Sequence, residues 1–378
     1  MELEVVVIGG LHHNTLGVVR ALGEAGVNKR NICVLLIGKD LNTNNFISKS
    51  KYLVSSNVNK VSTCEEIIPW LDSLSKDGNK RVIICCSDET AETVIANRDR
   101  LNQSYFTPEI RVNIHEFMSK ENQAKVAVES GFNVPKGMVI KKDDYNNNWD
   151  TYPCIIKPIS SIAGGKSDIR ILHNKFDLES ALKCISSEYV QIQEYIRKKM
   201  EYQLIGCSLD NGSIIIIPGY TDIIRQPHNT NTGYLKYSNI KELSYDSNAV
   251  DSFIKRIGYS GLFSLEFIRD NEGNDYFLEI NMRNDGNAYC VTSAGVNLPY
   301  IWCYYQLHKT FPDNSPLSFN NPVFFIPDFS DVKRGIETVG LFMWIKQFLK
   351  AESHSVWNKK DMKPFWAQVC MYVKRALK

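Results

Sequence analysis

Ser264-Leu265-Glu266-Phe267 and Phe277-Leu278-Glu279-Ile280-Asn281-Met282-Arg283 are two apolar runs of strand length, joined by the turn Asp270-Asn271-Glu272-Gly273-Asn274, and each carries a glutamate inside the run. Side chains alternate across a strand, so Glu279, Asn281 and Arg283 share one face and Leu278 and Ile280 the other. Glu266 on the neighbouring strand can join the first face. Two buried glutamates side by side repel and raise each other's pKa unless a cation lies between them. Carboxylate, carboxylate and amide oxygen are hard donors and predict Mg2+ at Glu266, Glu279 and Asn281, with Mn2+ as an acceptable substitute. Arg283 is then free for an anionic oxygen on a reacting group. The competing arrangement is an Arg/Glu ion-pair network without metal, but strand interiors seldom hold three acidic or amide side chains for structure alone.

Upstream, Cys154-Ile155-Ile156-Lys157-Pro158 reads as a buried strand ending in a lysine, and it runs into Ile159-Ser160-Ser161-Ile162-Ala163-Gly164-Gly165-Lys166-Ser167. A small-residue loop between two lysines suits a triphosphate, because glycine lets backbone N–H groups approach the oxygens while ammonium groups neutralise them. It is not a Walker A loop, since GxxxxGK[ST] is absent. A flexible hairpin tip with one solvated lysine is the plainer alternative. At the N-terminus, Gly9-Gly10 stands between a strand over Leu3 to Ile8 and a helix over Gly17 to Ala25. With further strands at Ile32 to Ile37 and Arg81 to Cys86, this predicts a βαβαβ layout with a parallel sheet. Dinucleotide binding is disfavoured, because the glycines do not give GxGxxG and Ile37-Gly38-Lys39 stands where a ribose-binding acid is needed. His12 and His13 in the turn are expected to be structural or solvated.

The chain has 378 residues, 43% hydrophobic and 23% charged, with a net charge of +2. That balance excludes both a bulk nucleic-acid binder and a disordered acidic chain. No run approaches the roughly 18 apolar residues of a membrane span, and Met1-Glu2-Leu3-Glu4 lacks a basic n-region, so a cytoplasmic location is expected. The ten cysteines show no CxxC spacing and are expected to be buried and reduced. One asymmetry stands out. From Lys333 to Lys378 ten basic residues face three acids, a local +7. Within it, Gly340 to Lys350 puts Leu341, Ile345, Phe348 and Leu349 on one helical face with Lys346 and Lys350 off it. Such a stripe is expected to pack on the protein's own body. The charge and Trp344, Trp357, Phe365 and Trp366 also fit peripheral contact with an anionic membrane.

The order of these elements resembles the ATP-grasp superfamily. Its first lysine resembles Lys120, at the start of a helix capped by Ser119 and stopped by Gly131-Phe132-Asn133-Val134-Pro135. Its second resembles Lys157, with Ile155 on the same strand and the glycine loop Gly164, Gly165 and Lys166 after it. The adenine-reading hinge resembles Gln193-Glu194-Tyr195-Ile196, the ribose-binding acid Glu201, and the metal group Glu266, Glu279, Asn281 and Arg283. Val7-Ile8-Gly9-Gly10, Leu16 to Gly23 and Ala294-Gly295-Val296-Asn297-Leu298-Pro299 are similar to the carboxylate–amine ligase branch that includes D-aspartate ligases. Asn281-Met282-Arg283 departs from that branch's common Asn-Pro-Arg.

The resemblance implies an α/β N-terminal pre-grasp domain followed by a two-lobed α+β ATP-grasp fold. The expected divisions are a pre-grasp domain over 1–118, linker helix and small lobe over 119–196, a large lobe with the metal site over 197–310, and connector and basic helices over 311–378. It further implies ATP and Mg2+ as cofactors and small-molecule carboxylate and amine substrates joined through an acylphosphate, with Lys157 and Arg283 catalytic. No nucleic-acid partner is expected, and a homodimer is compatible. An ATP-grasp carboxylase or kinase, or a non-catalytic nucleotide-binding scaffold acting through its basic tail, stays open. Substrate contacts are expected between Tyr220 and Tyr237.

Overall fold

The protein is described here from a computed structural model covering residues 2–39, 45–75, 78–146, 148–158, 170–226 and 232–376. It divides into two units. One is Met1–Gly131 with Tyr202–Glu266 and Glu279–Lys378; the other is Phe132–Glu201 with Phe267–Leu278.

The first unit begins with the parallel sheet that the apolar runs predict. Its strands are β1 (Val5–Gly9), β2 (Ile32–Ile37), β3 (Val58–Val61), β4 (Arg81–Cys85) and β5 (Tyr105–Phe106), in the order β3-β2-β1-β4-β5. Val5 lies opposite both Ile32 and Val82, and β1 is buried throughout, as befits a central strand covered on both faces. The chain winds outward from β1 to β3 and then returns to β4, so the sheet has a switch point between the ends of β1 and β4. Gly9 sits there for packing. A Cβ on it would come within 2.6 Å of Thr15 Oγ1 and 2.7 Å of Cys86 Cβ, so only glycine lets the chain pass.

The second unit holds an antiparallel sheet of β6 (Gly137–Lys141), β7 (Cys154–Pro158), β8 (Arg170–Leu172) and β9 (Tyr189–Glu194), ordered β6-β9-β7-β8. Cys154, Ile156, Val190 and Ile192 form its core with Leu178, Ala181 and Leu182 of the Lys175–Cys184 helix. Alternation sends Ile155, Lys157, Gln191 and Gln193 to the opposite face.

The remaining strands are β10 (Lys198–Leu209), β11 (Ile214–Arg225), β12 (Tyr234–Asn239), β13 (Gly261–Asp270), β14 (Asp275–Asn281), β15 (Val323–Ile326) and β16 (Ser353–His354), ordered β14-β13-β10-β11-β12-β15-β16. Two expectations change here. The Pro/Asn-rich stretch 312–327 is not wholly a connector, since β15 pairs Phe325 with Leu235 of β12. In the segment Tyr220 to Tyr237, where substrate contacts are expected, residues 227–231 lie outside the described residues, and among the described ones Tyr237, Tyr234 and Arg225 are packed into the protein rather than offered to a ligand. Tyr237 is buried and stacks on Phe319 at 4.9 Å, while Arg225 is buried against Asp331 at 3.0 Å and lies over the Tyr234 ring.

Within the first unit, one buried carboxylate organises the C-terminal segment and another ties it to the residues before β3. Asp328 accepts from His354 Nδ1 (2.7 Å), Ser355 Oγ (3.0 Å) and the Trp357 amide (2.9 Å). Asp361 accepts from Arg20 Nε (3.1 Å), Ser50 Oγ (2.8 Å) and the Lys51 amide (2.9 Å). The Leu341–Lys350 helix forms as expected but turns a different face inward. Trp344 donates to Asp331 and stacks toward Phe348, which meets His354 and Trp357, whereas Leu341, Ile345 and Leu349 stay exposed. Among the described residues, no helix is long and apolar enough to cross a membrane.

Candidate active site

In the first unit, β13 and β14 are neighbours and bring Glu266, Glu279 and Asn281 together as strand alternation requires. Glu266 Oε1 accepts from Asn281 Nδ2 (3.0 Å) and from Gln203 Nε2 of β10 (2.9 Å). Burial, and after it the charge of Glu279, pushes the Glu266 carboxyl up to about 8. Glu279 has a cation beside it, since Lys120 Nζ lies 2.5 Å from its carboxylate. Lys120 opens the Lys120–Glu129 helix. One turn on, buried Gln123 accepts the Ile280 amide at 3.0 Å, which stitches that helix to β14 at the end of the sheet. Burial works to lower the Lys120 pKa, but Glu279, Glu266 and Asp88 together hold it above the ordinary value.

Arg283 follows β14 and is fixed on every side. It donates to Asn281 Oδ1 (3.0 Å), Asp285 Oδ2 (3.0 Å) and the Asn284 carbonyl (3.3 Å), and its Nε lies 3.2 Å from Asp88. Burial opposes its charge, but Asp285 and Asp88 outweigh it and raise the guanidinium pKa further. Asp285 also accepts from Ser264 Oγ (3.0 Å) and the Asn287 amide (2.8 Å). Burial raises the Asp88 pKa in spite of Arg283.

This group stands at the switch point. The Asn284 amide donates to Cys85 O at the end of β4. Asn14 Nδ2 donates to Cys86 O (2.9 Å) and Asn284 O (2.7 Å), so one side chain ties three loops together. His13 is half-buried with Nε2 3.2 Å from Gly286 O, and its ring lies 3.8 Å from that of His12. Desolvation lowers both imidazole pKa values, that of His13 well below normal, so both rings are neutral near pH 7.

In the second unit, Lys157 Nζ donates to Gln193 Oε1 at 3.0 Å, and Ile155 lies opposite Gln193 in the sheet register. At the end of β9 the Glu194 and Tyr195 amides are committed to Lys136 O (2.8 Å) and Pro153 O (3.0 Å), with Ile196 next in the chain. Glu201 pairs with Lys198. Gly164, Gly165 and Lys166 lie outside the described residues.

Sequence reading missed Asp88, Gln203, Asp285, Asn287, Asn14 and Gln123. The signal for Asp285 and Asn287 was the polar density of Asn284-Asp285-Gly286-Asn287. For Asp88 it was Ser87, which caps the Asp88–Ala96 helix directly after β4. Nothing local marks Gln203 or Gln123. Among the described residues, no group of three or more His, Cys, Asp or Glu is arranged to hold a metal. A divalent cation would draw instead on two carboxylates and one amide. The donor chemistry fits, because burial and the charge of Glu279 make Glu266 hard to ionise and a divalent cation would offset both. Asn281 would have to turn its oxygen away from Arg283 to complete the set.

No family model matches the chain. A curated 2-oxoglutarate carboxylase small subunit from Hydrogenobacter thermophilus is 30% identical over 145 residues, a match covering 35% of this chain and 30% of that protein. The match thus spans less than a third of the relative's length. Among solved structures, the L-amino acid ligase from Bacillus licheniformis superposes with a TM-score of 0.58 at 12% identity, over 82% of this chain and 75% of that one. The biotin carboxylase domain of the Hydrogenobacter thermophilus 2-oxoglutarate carboxylase, a dimer in complex with MgADP and bicarbonate, gives 0.61 at 20% identity over 86% and 74%. The N5-carboxyaminoimidazole synthetase from Staphylococcus aureus gives 0.61 at 14% identity over 86% and 83%. The chain has the ATP-grasp fold, with its α/β domain preceding the grasp elements.

Proposed function

We propose that this chain is an ATP-dependent, ADP-forming enzyme that joins a carboxylate to an amine. The observation that carries the reading is the pair of strand-borne glutamates with Asn281 and a pinned Arg283 on one face, at the switch point of the parallel sheet. A carboxyl as hard to ionise as that of Glu266 costs stability, and a cation-dependent site explains its presence better than packing does. The reaction transfers the γ-phosphoryl of ATP to a carboxylate oxygen, giving an acylphosphate and ADP. The amine nitrogen then attacks the acyl carbon, loses a proton, and inorganic phosphate leaves.

Catalysis of this kind is mostly positioning and charge neutralisation. Glu266, Glu279 and Asn281 would hold Mg2+, which when bound offsets charge on the phosphate oxygens. Arg283, held by Asp285 and Asp88, would steady the oxygens of the acylphosphate. Lys120 and Lys157 would hold phosphate oxygens, the first released from Glu279 when a metal shares that carboxylate. Ile155 and Gln193 to Ile196 would contact the adenine and Glu201 the ribose, and Gly164, Gly165 and Lys166, outside the described residues, are assigned to the phosphates.

The carboxylase outcome stays beside this one, because the curated relative and several solved neighbours are carboxylases or their biotin carboxylase parts. Bicarbonate is then the carboxylate that is phosphorylated, and the first half-reaction is unchanged. The test is ADP release, screened over amino acids in pairwise combination and separately over bicarbonate. Amino-acid-dependent release that Lys157→Met and Glu279→Gln abolish, with melting unchanged, supports the ligase. Release that needs only bicarbonate supports the carboxylase. Near-normal ADP formation in both variants overturns the assignment.

A further inference from the structure

The Leu341–Lys350 helix presents two faces of different fate. Its inner arc of Trp344, Gln347 and Phe348 is held by Asp331, Arg225, His354 and Trp357. At about 100° per residue, Leu341, Ile345, Leu349 and Phe342 fall within an outer arc of roughly 100°. This arc is uncovered. Phe342 is 90% exposed, Leu349 69% and Leu341 50%. The exposure is not that of a loose tail, because the inner face is anchored through the buried Arg225–Asp331 pair and the helix cannot roll without breaking it. Lys346 and Lys350, both exposed, continue directly from the apolar arc, and Lys333 and Arg334 are exposed on the preceding Asp328–Val339 helix.

We propose that this outer face docks on an anionic phospholipid surface, the apolar arc entering the headgroup boundary while Lys346 and Lys350 meet the phosphates. Two features favour this occupant over a second copy of the chain. A two-fold interface would bring the same lysines, within a segment of local +7, against themselves. In addition, four side chains on a helix about 15 Å long cover well under the roughly 800 Å² per partner that a stable dimer uses. An anionic bilayer supplies the opposite charge and asks for no matching shape.

The test is co-sedimentation of the full chain with phosphatidylcholine vesicles, with and without phosphatidylglycerol, at low salt. Binding is expected only to the anionic vesicles, and it should be lost as salt rises from about 0.05 M to about 0.5 M. The double substitutions Phe342→Ser/Leu349→Ser and Lys346→Glu/Lys350→Glu lie wholly on the exposed face, so melting should not change. Each should weaken binding by at least about tenfold. Absence of binding to anionic vesicles at low salt overturns the proposal, as does binding that neither pair of substitutions weakens. A dimer in sedimentation equilibrium that Phe342→Ser/Leu349→Ser dissociates would assign the face to a second copy, and overturns it too.

Discussion

A glutamate that ionises near pH 8 rather than near 4.5 leaves a mark on stability, and Glu266 is such a residue. Between those values the folded chain keeps a proton that the unfolded chain has released. Stability from this group is therefore fully present below pH 4.5 and is lost as the pH rises through 8. Glu266→Gln cannot ionise, and its amide oxygen can still accept from Asn281 and Gln203. In the absence of divalent metal, the variant should melt at a higher temperature than the parent, by a margin that widens with pH and levels off above about 8. Magnesium should raise the parent's melting temperature most where Glu266 would otherwise be ionised, and should do little for the variant. Thermal melts across pH, with and without magnesium, measure both effects; parallel curves for the two proteins would remove Glu266 from the site.

At the scale of elements, the Lys120–Glu129 helix and β14 act as a pair, and their joint is Gln123. Gln123→Leu leaves the buried Ile280 amide unpaired and should cost about 1–3 kcal/mol in denaturant unfolding. Lys120→Ala removes an ion pair whose lysine is 59% exposed and should change stability by under about 1 kcal/mol. The larger effect of the neutral substitution is the expected outcome, and the reverse order would mean that the helix is held by charge. Elements of this kind were only partly legible beforehand. β13 and β14 could be read because a period of two with a carboxylate inside an apolar run is rare, and their face assignment follows from it. The link between Lys120 and Glu279 was invisible, because nothing near either residue encodes a contact so distant in sequence. β15 was hidden by Pro322 and Pro327 at its ends, and β12 by the polar residues it carries. In the Leu341–Lys350 helix the period gave the element but not its orientation. Trp344 and Phe348, together with the bond from Trp344 to Asp331, outweigh the aliphatic stripe, because large rings bury more surface.

Over the whole molecule, segments far apart in sequence meet. Arg20, in the first helix, and Asp361, near the C-terminus, form an ion pair with essentially no solvent access. Removing one partner strands the other charge in the interior, so Asp361→Ala should cost about 3–5 kcal/mol, while Arg20→Met with Asp361→Leu should recover much of that loss. Chemical denaturation of the two variants beside the parent decides it; equal losses for the single and double variants would mean that the pair acts through the bonds to Ser50 and Lys51 instead. The apolar core of the first unit has the same long reach, joining Val5, Leu36 and Ile84 to Trp302 and Val356. A ribosome makes these partners in the wrong order for early completion. Nearly the entire chain must be synthesised before the first sheet receives its last packing residues, and Phe132–Glu201 likewise waits for Phe267–Leu278. The nascent protein therefore carries an unfinished, sticky core for most of its translation. Its yield in a cell should depend on holding chaperones more than its final stability would suggest.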